Sequence, residues 1–387
     1  MVQSTAGAVG ACGTIKSISS AIAKNGRLSQ WHKALWLLRE WGAMGGEKNV
    51  LLFGAAISAC EKGGHWELAL ALLSELLQEE LESNVVTYSS AISACDKGGQ
   101  WRRSVYLLAE LLEVDLQPNV ITCTSVVSSC GKSEQWKQAL YTFKDMQDSS
   151  VQMNMIAYNA AISACERGSQ WQSALHLLEE SAQRNLEADI ISQNAALTAL
   201  EKSALWQRAL NLFYGVYEGR VRTTIVTHNA VLSALGSAGK WQSALDALER
   251  IHKQRLQSSV VTWNAAITAC EKGDQWQRAL GLLRDMQERH VKRSIISYNA
   301  AISACERGEQ WEWALEMFRE IQTSRLTADI ISFNATISAC EKGHQWQRAL
   351  LLLADLEAND LQGTVVTYSA AISAVEKGSQ WQRAVQL

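Results

Sequence analysis

Seven cysteines, Cys60, Cys95, Cys130, Cys165, Cys270, Cys305 and Cys340, stand at whole multiples of 35 residues from one another. Thiols in a regular file could ligate metal, cross-link or act as nucleophiles. If the interval marks a stacked helical unit, equivalent positions lie about 8–10 Å apart, the distance between packed helix axes. That is too far for a disulfide or a shared metal. There is no Cys-x-x-Cys pair, so these thiols read as small buried core residues. A second file is basic: Arg27, Lys62, Lys97, Lys132, Arg167, Lys202, Lys272, Arg307, Lys342 and Lys377 keep the same interval, interrupted only by Ser237. His65-Trp66-Glu67 matches the opening of a zinc-deaminase signature, but the Cys-x-x-Cys that should follow is missing. No phosphate loop, dinucleotide fingerprint or Ser/His/Asp pattern stands out. We expect no catalysis, no metal and no cofactor from these residues.

The same interval governs the whole chain. Trp31, Trp66, Trp101, Trp136, Trp171, Trp206, Trp241, Trp276, Trp311, Trp346 and Trp381 are 35 residues apart without a slip. Positions are numbered so that Val85 is position 1 and Asn119 is position 35. Ten full units run over residues 15–364 behind a leader of residues 1–14, and a partial eleventh unit covers 365–387 and stops mid-unit, as a fragment would. In the unit starting at Val85, Val85, Val86, Tyr88, Ala91, Ile92 and Cys95 are spaced as one helix face, and Trp101, Val105, Leu108 and Leu111 as a second. Seven of eleven units have Gly at position 14, expected as a left-handed helix stop. Position 20 is Ala in ten units and Ser104 in the other, which predicts close helix approach beside the indoles. A single hairpin cannot bury its apolar face alone. Stacked hairpins can, which predicts an all-α, right-handed α-solenoid superhelix of 35-residue helix-turn-helix repeats.

Bulk composition agrees with that architecture. Apolar residues make up 47% of the chain and charged ones 19%, excluding a disordered polypeptide. No run approaches the eighteen apolar residues of a membrane span. The net charge of −3 means that any basic surface must be local. Residues 1–14 contain no Lys or Arg, so no transit peptide is evident there.

With a 35-residue period, segments such as VVTYSSAISAC, MIAYNAAISAC, IISYNAAISAC and VVTYSAAISAV, each followed by a basic residue, a turn and an Ala-Leu helix, resemble the pentatricopeptide repeat over Ile15 to Leu387. The departure is the Trp, where that family usually has a smaller aliphatic residue. The resemblance implies sequence-selective binding of single-stranded RNA, one base per repeat, read by positions 5 and 35. It implies residence in a chloroplast or mitochondrion and a role in RNA processing, stability, editing or translation. Other RNA-processing proteins would be further partners, and neither a membrane nor a small-molecule substrate is expected.

Carried onto this sequence, the reading pairs are Ser19/Asn49, Gly54/Asn84, Ser89/Asn119, Thr124/Asn154, Asn159/Asp189, Asn194/Thr224, Asn229/Ser259, Asn264/Ser294, Asn299/Asp329 and Asn334/Thr364, with Ser369 opening an incomplete last pair. In the family, Ser or Thr with Asn favours adenine, Asn with Asp uracil, Asn with Ser cytosine, and Asn with Thr a pyrimidine. The implied target is 5′-A-N-A-A-U-Y-C-C-U-Y-3′, with N under Gly54. The resemblance also assigns position 2 (Leu51, Val86, Ile121, Ile156, Ile191, Val226, Val261, Ile296, Ile331 and Val366) to sandwiching each base, with Lys16 breaking the pattern in the first unit.

Each assignment has a plainer alternative. Asn, Asp, Ser and Thr at position 35 could simply cap the first helix. Yet the four units lacking Asn at position 5 all have Asn at 35, and the six with it never do, a sorting that capping does not explain. Position 2 could be ordinary core. The cations at position 13 could contact phosphates, one per nucleotide, or could complement the helix dipole. A protein-binding helical scaffold is the competing function, and an enzyme with its catalytic domain beyond Leu387 is a third.

Overall fold

The computed structural model describes residues 15–379, apart from 150, 152, 187, 188, 219–222 and 325. The leader, residues 380–387 and thus Trp381 lie outside the described residues. First helices run Ile15–Arg27, Val50–Gly63, Val85–Lys97, Val120–Lys132, Met155–Arg167, Ile190–Lys202, Ile225–Ser237, Val260–Lys272, Ile295–Arg307, Ile330–Lys342 and Val365–Lys377. Second helices run Trp31–Ala43, Trp66–Gln78, Trp101–Glu113, Trp136–Asp148, Trp171–Gln183, Trp206–Glu218, Trp241–Lys253, Trp276–Glu288, Trp311–Thr323 and Trp346–Ala358. Among the described residues there is no strand, and no helix is long and apolar enough to cross a membrane. The fold is an all-α repeat.

The chain divides into two compact units, Met1–Ala199 and Leu200–Leu387, and each repeats the same packing. Within each unit, first helices pack on the first helices of neighbouring repeats, and second helices touch their own first helix and the next one, as the helices from Ile15 to Arg167 and from Ile225 to Lys377 show. The buried face of the first helix carries positions 3, 4, 7, 8, 10 and 11, as Thr87, Tyr88, Ala91, Ile92, Ala94 and Cys95 show. The second helix buries Ser104, Leu107 and Leu111, while Trp101, Val105 and Leu108 are only half-buried. Buried Tyr88, Tyr158 and Tyr298 each donate a hydroxyl hydrogen bond to Glu110, Glu180 and Glu320, which ties the first helix to the second. The cysteines are core as expected. Burial pushes the Cys60 thiol up to about 11 and that of Cys165 up to about 12, leaving inert thiols at neutral pH.

Glycine at position 14 has a different job from the one expected. Gly98 has φ −84 and Gly308 φ −80, so neither is left-handed. The left-handed residue is position 15, occupied by Ser169, Asp274, Glu309 and His344 as readily as by Gly64 and Gly99. The Gln100 N–H then bonds back to the Cys95 carbonyl at 2.9 Å, closing the helix end. Position 14 is Gly because the indole of the preceding repeat lies on it. A Cβ on Gly98 would sit 2.1 Å from Trp66 Cδ1, and one on Gly343 would sit 2.2 Å from Trp311 Cδ1. The outer side of the same indoles is covered by position 19 of the next repeat, with Arg103 over Trp66 at 4.5 Å and Arg348 over Trp311 at 4.4 Å. The Trp that departs from the usual family residue is therefore an inter-repeat clamp. Gly98→Ala should cost about 1–3 kcal/mol through overpacking, read by thermal or urea unfolding. Ser133, Ser203 and Ala238 stand at the same position in other repeats, so an indole can give way when it must. Trp66→Leu should recover part of the loss, and strictly additive effects of the two changes would reject the clamp.

Candidate nucleic-acid interface

Positions 2, 5, 9 and 13 follow one another at helical spacing and share a face of the first helix that the core does not use. Position 2 lies on it as an exposed side chain. Leu51, Val86, Ile121, Ile156, Ile191, Val226, Val261, Ile296, Ile331 and Val366 are 54–67% exposed. Core packing is thereby excluded. The apolar spacing that placed Val86 with Tyr88 and Ile92 overlooked that these positions fall on different faces.

Position 35 is the N-cap of the first helix of the next repeat, and in nine of its ten occurrences a direct hydrogen bond from a backbone N–H to its side chain is described. The side chains of Asn49, Asn84, Asn119 and Asn154 accept the N–H of Leu52, Thr87, Thr122 and Ala157 at 2.8–3.1 Å. Asp189 and Asp329 do the same for Ser192 and Ser332, and Ser259, Ser294 and Thr364 accept more weakly at 3.3–3.4 Å.

Thr224 forms a capping box with Thr227 at the start of the helix Ile225–Ser237: the two hydroxyls lie 3.2 Å apart, and the Thr227 hydroxyl accepts the Thr224 N–H at 3.1 Å.

In four of the six units with Asn at position 5, the cap is described in contact with that Asn of its own repeat. The Asn159 amide donates to Asp189 at 2.8 Å, Asn299 to Asp329 at 3.0 Å, Asn334 to Thr364 at 3.3 Å and Asn264 to Ser294 at 3.5 Å. The Asn oxygen is held in turn by a hydroxyl at position 3 of the following repeat. Thr262 donates to Asn229, Ser297 to Asn264, Ser332 to Asn299 and Thr367 to Asn334, all at 2.5–2.7 Å. An Asn at position 35 would commit its oxygen to the cap and aim an amide at another amide. The sorting between positions 5 and 35 thus has an intramolecular cause, and by itself it is not a sign of base reading. Position 3 was missed from the sequence, although all six units following an Asn at position 5 carry Ser or Thr there. Asn159 is the odd member: Ser192 turns its hydroxyl to the Asp189 carbonyl, and the buried Asn159 oxygen is left without a partner.

Where position 5 is Ser, the pattern opens. Ser19 and Ser89 donate to the carbonyls of Lys16 and Val86 in their own helix, at 3.0 Å in each case. Their oxygens keep lone pairs, and the Asn49 and Asn119 amides bond to nothing among the described residues. Access is narrow at position 5, with Ser89 and Asn299 each 9% exposed, whereas Asn119, Asn154, Ser259 and Thr364 at position 35 are exposed. Burial acts to push the Asp329 carboxyl up, but hydrogen bonds from Ser332 and Asn299 outweigh it and hold the group below the usual carboxylate range. It is ionised at neutral pH and can only accept.

The basic file at position 13 is largely spoken for. Lys97 bonds to Glu61, Lys132 to Asp96, Arg307 to Glu271, Lys342 to Glu306 and Lys377 to Glu341, each acid lying at position 12 of the preceding repeat. Gly26, Gly131 and Gly236 replace that acid elsewhere. Lys272, which follows Gly236, instead bonds to the Ser237 carbonyl at 3.1 Å. Arg27, Lys62 and Arg167 have no acidic partner among the described residues. The uniform stripe expected from spacing is a ladder of ion pairs with a few uncompensated cations.

Three pentatricopeptide repeat profiles match the chain. The PPR repeat family matches residues 118–167 and 258–307, the pentatricopeptide repeat domain 176–238 and 221–274, and the PPR repeat 52–81, 156–186 and 296–326. Together they run over most of the described residues, and the chain belongs to the pentatricopeptide repeat family. No curated protein matches the sequence. Among solved structures, the pentatricopeptide repeat protein PPR10 from maize is similar at 21% identity with a TM-score of 0.60. The match covers 95% of this chain and 53% of that one, so this chain spans about half its length. PPR10 in complex with an 18-nt psaJ RNA element aligns at 20% identity and a TM-score of 0.49, covering 96% and 53% of the two chains. Yeast Rmd9p in complex with a 16-nt target RNA aligns at 9% and 0.43, covering 96% of each. At those scores the two complexes carry no further argument.

Proposed function

We propose that this protein binds single-stranded RNA sequence-selectively, one base per repeat, with 5′-A-N-A-A-U-Y-C-C-U-Y-3′ as its preferred target, and serves RNA metabolism in a chloroplast or mitochondrion. The observation that carries the reading is the exposed apolar side chain at position 2 of each repeat, on the helix face that also presents positions 5 and 35. Water-exposed Ile, Val and Leu repeated at one position need a flat apolar partner to justify them, and a base is such a partner. Membership of the pentatricopeptide repeat family supports RNA as the class of partner.

Edge chemistry supports the assignment of bases. Ser89 with Asn119 offers one acceptor and one free amide donor, the complement of adenine N6 and N1. Ionised Asp329 only accepts, which suits the uracil N3–H and repels the cytosine N3 lone pair. Ser297 gives its proton to Asn264, so Ser294 is the donor in the 3.0 Å contact between the two hydroxyls, and that hydrogen is the one it would turn to cytosine N3. Each good match contributes about 1–3 kcal/mol of discrimination, by analogy with groove readout.

The test is a titration against 5′-AAAAUCCCUC-3′, its permuted version and the DNA equivalent at several salt concentrations. The ordered RNA should bind at least about a hundredfold more tightly than the permuted one. Counting only the three cations without an acidic partner and Lys272, the log–log salt slope should be about −2 to −3, against about −7 for ten released counterions. Equal affinity for ordered and permuted RNA rejects base reading. Binding of a peptide with no RNA affinity would instead favour the helical scaffold.

A further inference from the structure

Gly54 leaves its repeat without a side chain at position 5, and a cleft of about 310 Å³ opens there. Leu51 and Val86 flank it, Asn84 stands at its edge, and Arg27 and Lys62 line its far side. The Asn84 oxygen is taken by the Thr87 N–H at 3.0 Å, so only its amide is free, as a donor. Neither cation has an acidic partner. This cleft therefore combines apolar walls, the Asn84 amide and the Ser58 hydroxyl, no acceptor at position 5, and uncompensated positive charge.

We infer that the second repeat accepts an adenine carrying a substituent on its exocyclic amine, a base the neighbouring adenine-reading repeats reject. The inference rests on the RNA-reading account above and sharpens it at one nucleotide. In the third repeat, the Ser89 oxygen is the acceptor for the adenine N6–H, and Ser89 is itself 9% exposed. An alkyl group on N6 removes one of those protons and drives carbon against a buried hydroxyl. Under Gly54 there is no oxygen to lose, and the space is open. The Asn84 amide can still donate to N1 or to water beside it, while Leu51, Val86, Arg27 and Lys62 hold the base and phosphate without reference to N6.

The experiment needs no variant. Equilibrium binding is measured with 5′-AAAAUCCCUC-3′ carrying N6-methyladenosine at the second or at the third nucleotide. The second-nucleotide substitution should weaken binding less than about twofold, and the third by about tenfold or more, the scale of one lost edge contact. Equal penalties at the two sites, or none at either, overturn the inference. Loss of the difference between ordered and permuted unmodified RNA overturns the underlying reading instead. Gly54→Ser gives a second measurement: its Cβ would lie 3.4 Å from Thr87 Cγ2, an ordinary contact, so the helix should keep its place. That variant should acquire the tenfold sensitivity at the second nucleotide, and a Gly54→Ser protein that stays indifferent counts against the proposal.

Discussion

Exchanging the pair in the eighth repeat, Asn264→Thr with Ser294→Asn, should move the preference at the eighth nucleotide from cytosine to adenine. Wild-type Asn264 is held between Ser297 at 2.6 Å and Ser294 at 3.5 Å, and the Ser294 hydroxyl, which donates to Ser297 in the free protein, is the donor that would turn to the base. The double variant rebuilds the arrangement of Thr124 over Asn154, in which the Asn caps the next helix and keeps a free amide. Both partners of the base edge change sense, so the cytosine-to-adenine ratio should shift by about ten- to a hundredfold, from one to two matches at about 1–3 kcal/mol each. Competition binding with RNAs differing only at that nucleotide reads the ratio, and the other nine positions should be unmoved. The single change Ser294→Asn should destabilise the protein instead, because the Asn264 amide then faces another amide. If the double variant folds and binds yet keeps its cytosine preference, positions 5 and 35 do not read bases here.

The second large effect separates binding from stability. Ile121 and Ile156 are 67% and 66% exposed. Replacing both with Ser should leave the unfolding free energy within about 0.5 kcal/mol per site, as for other surface substitutions. RNA affinity should nevertheless fall about tenfold or more, bounded above by the 1–3 kcal/mol per base measured on aromatic stacking platforms. The bases flanked by these residues lose their apolar walls while every hydrogen bond at positions 5 and 35 stays in place. Ordered and permuted RNA should both weaken, because stacking does not depend on base identity. A large loss of stability would return position 2 to the core, and an unchanged affinity would leave the exposed file without a partner.

The sequence was enough to establish the 35-residue hairpin, because an apolar face that one hairpin cannot bury forces stacking wherever the pattern recurs in phase. It also gave the buried cysteines, the capping residues at position 35, and the start of each described second helix at its Trp. It misjudged Gly98 and its equivalents, since a glycine near a helix end suggests left-handed backbone when read locally. The true cause is an indole contributed by the preceding repeat. The file of cations was visible, but the acids that neutralise Lys97, Lys132 and Lys342 lie 36 residues upstream and are met only after stacking.

The interface followed the same division. Residue types and their period named the candidate positions, and the family resemblance gave them roles. Only tertiary structure decided that position 2 faces water, that Asn299 is locked to Asp329 and Ser332, and that Gly54 opens a cleft beside two uncompensated cations. Periodicity reports which residues of one helix share a face. Which neighbour covers that face depends on how successive hairpins approach, and that is fixed by volume and hydrogen-bond geometry between repeats.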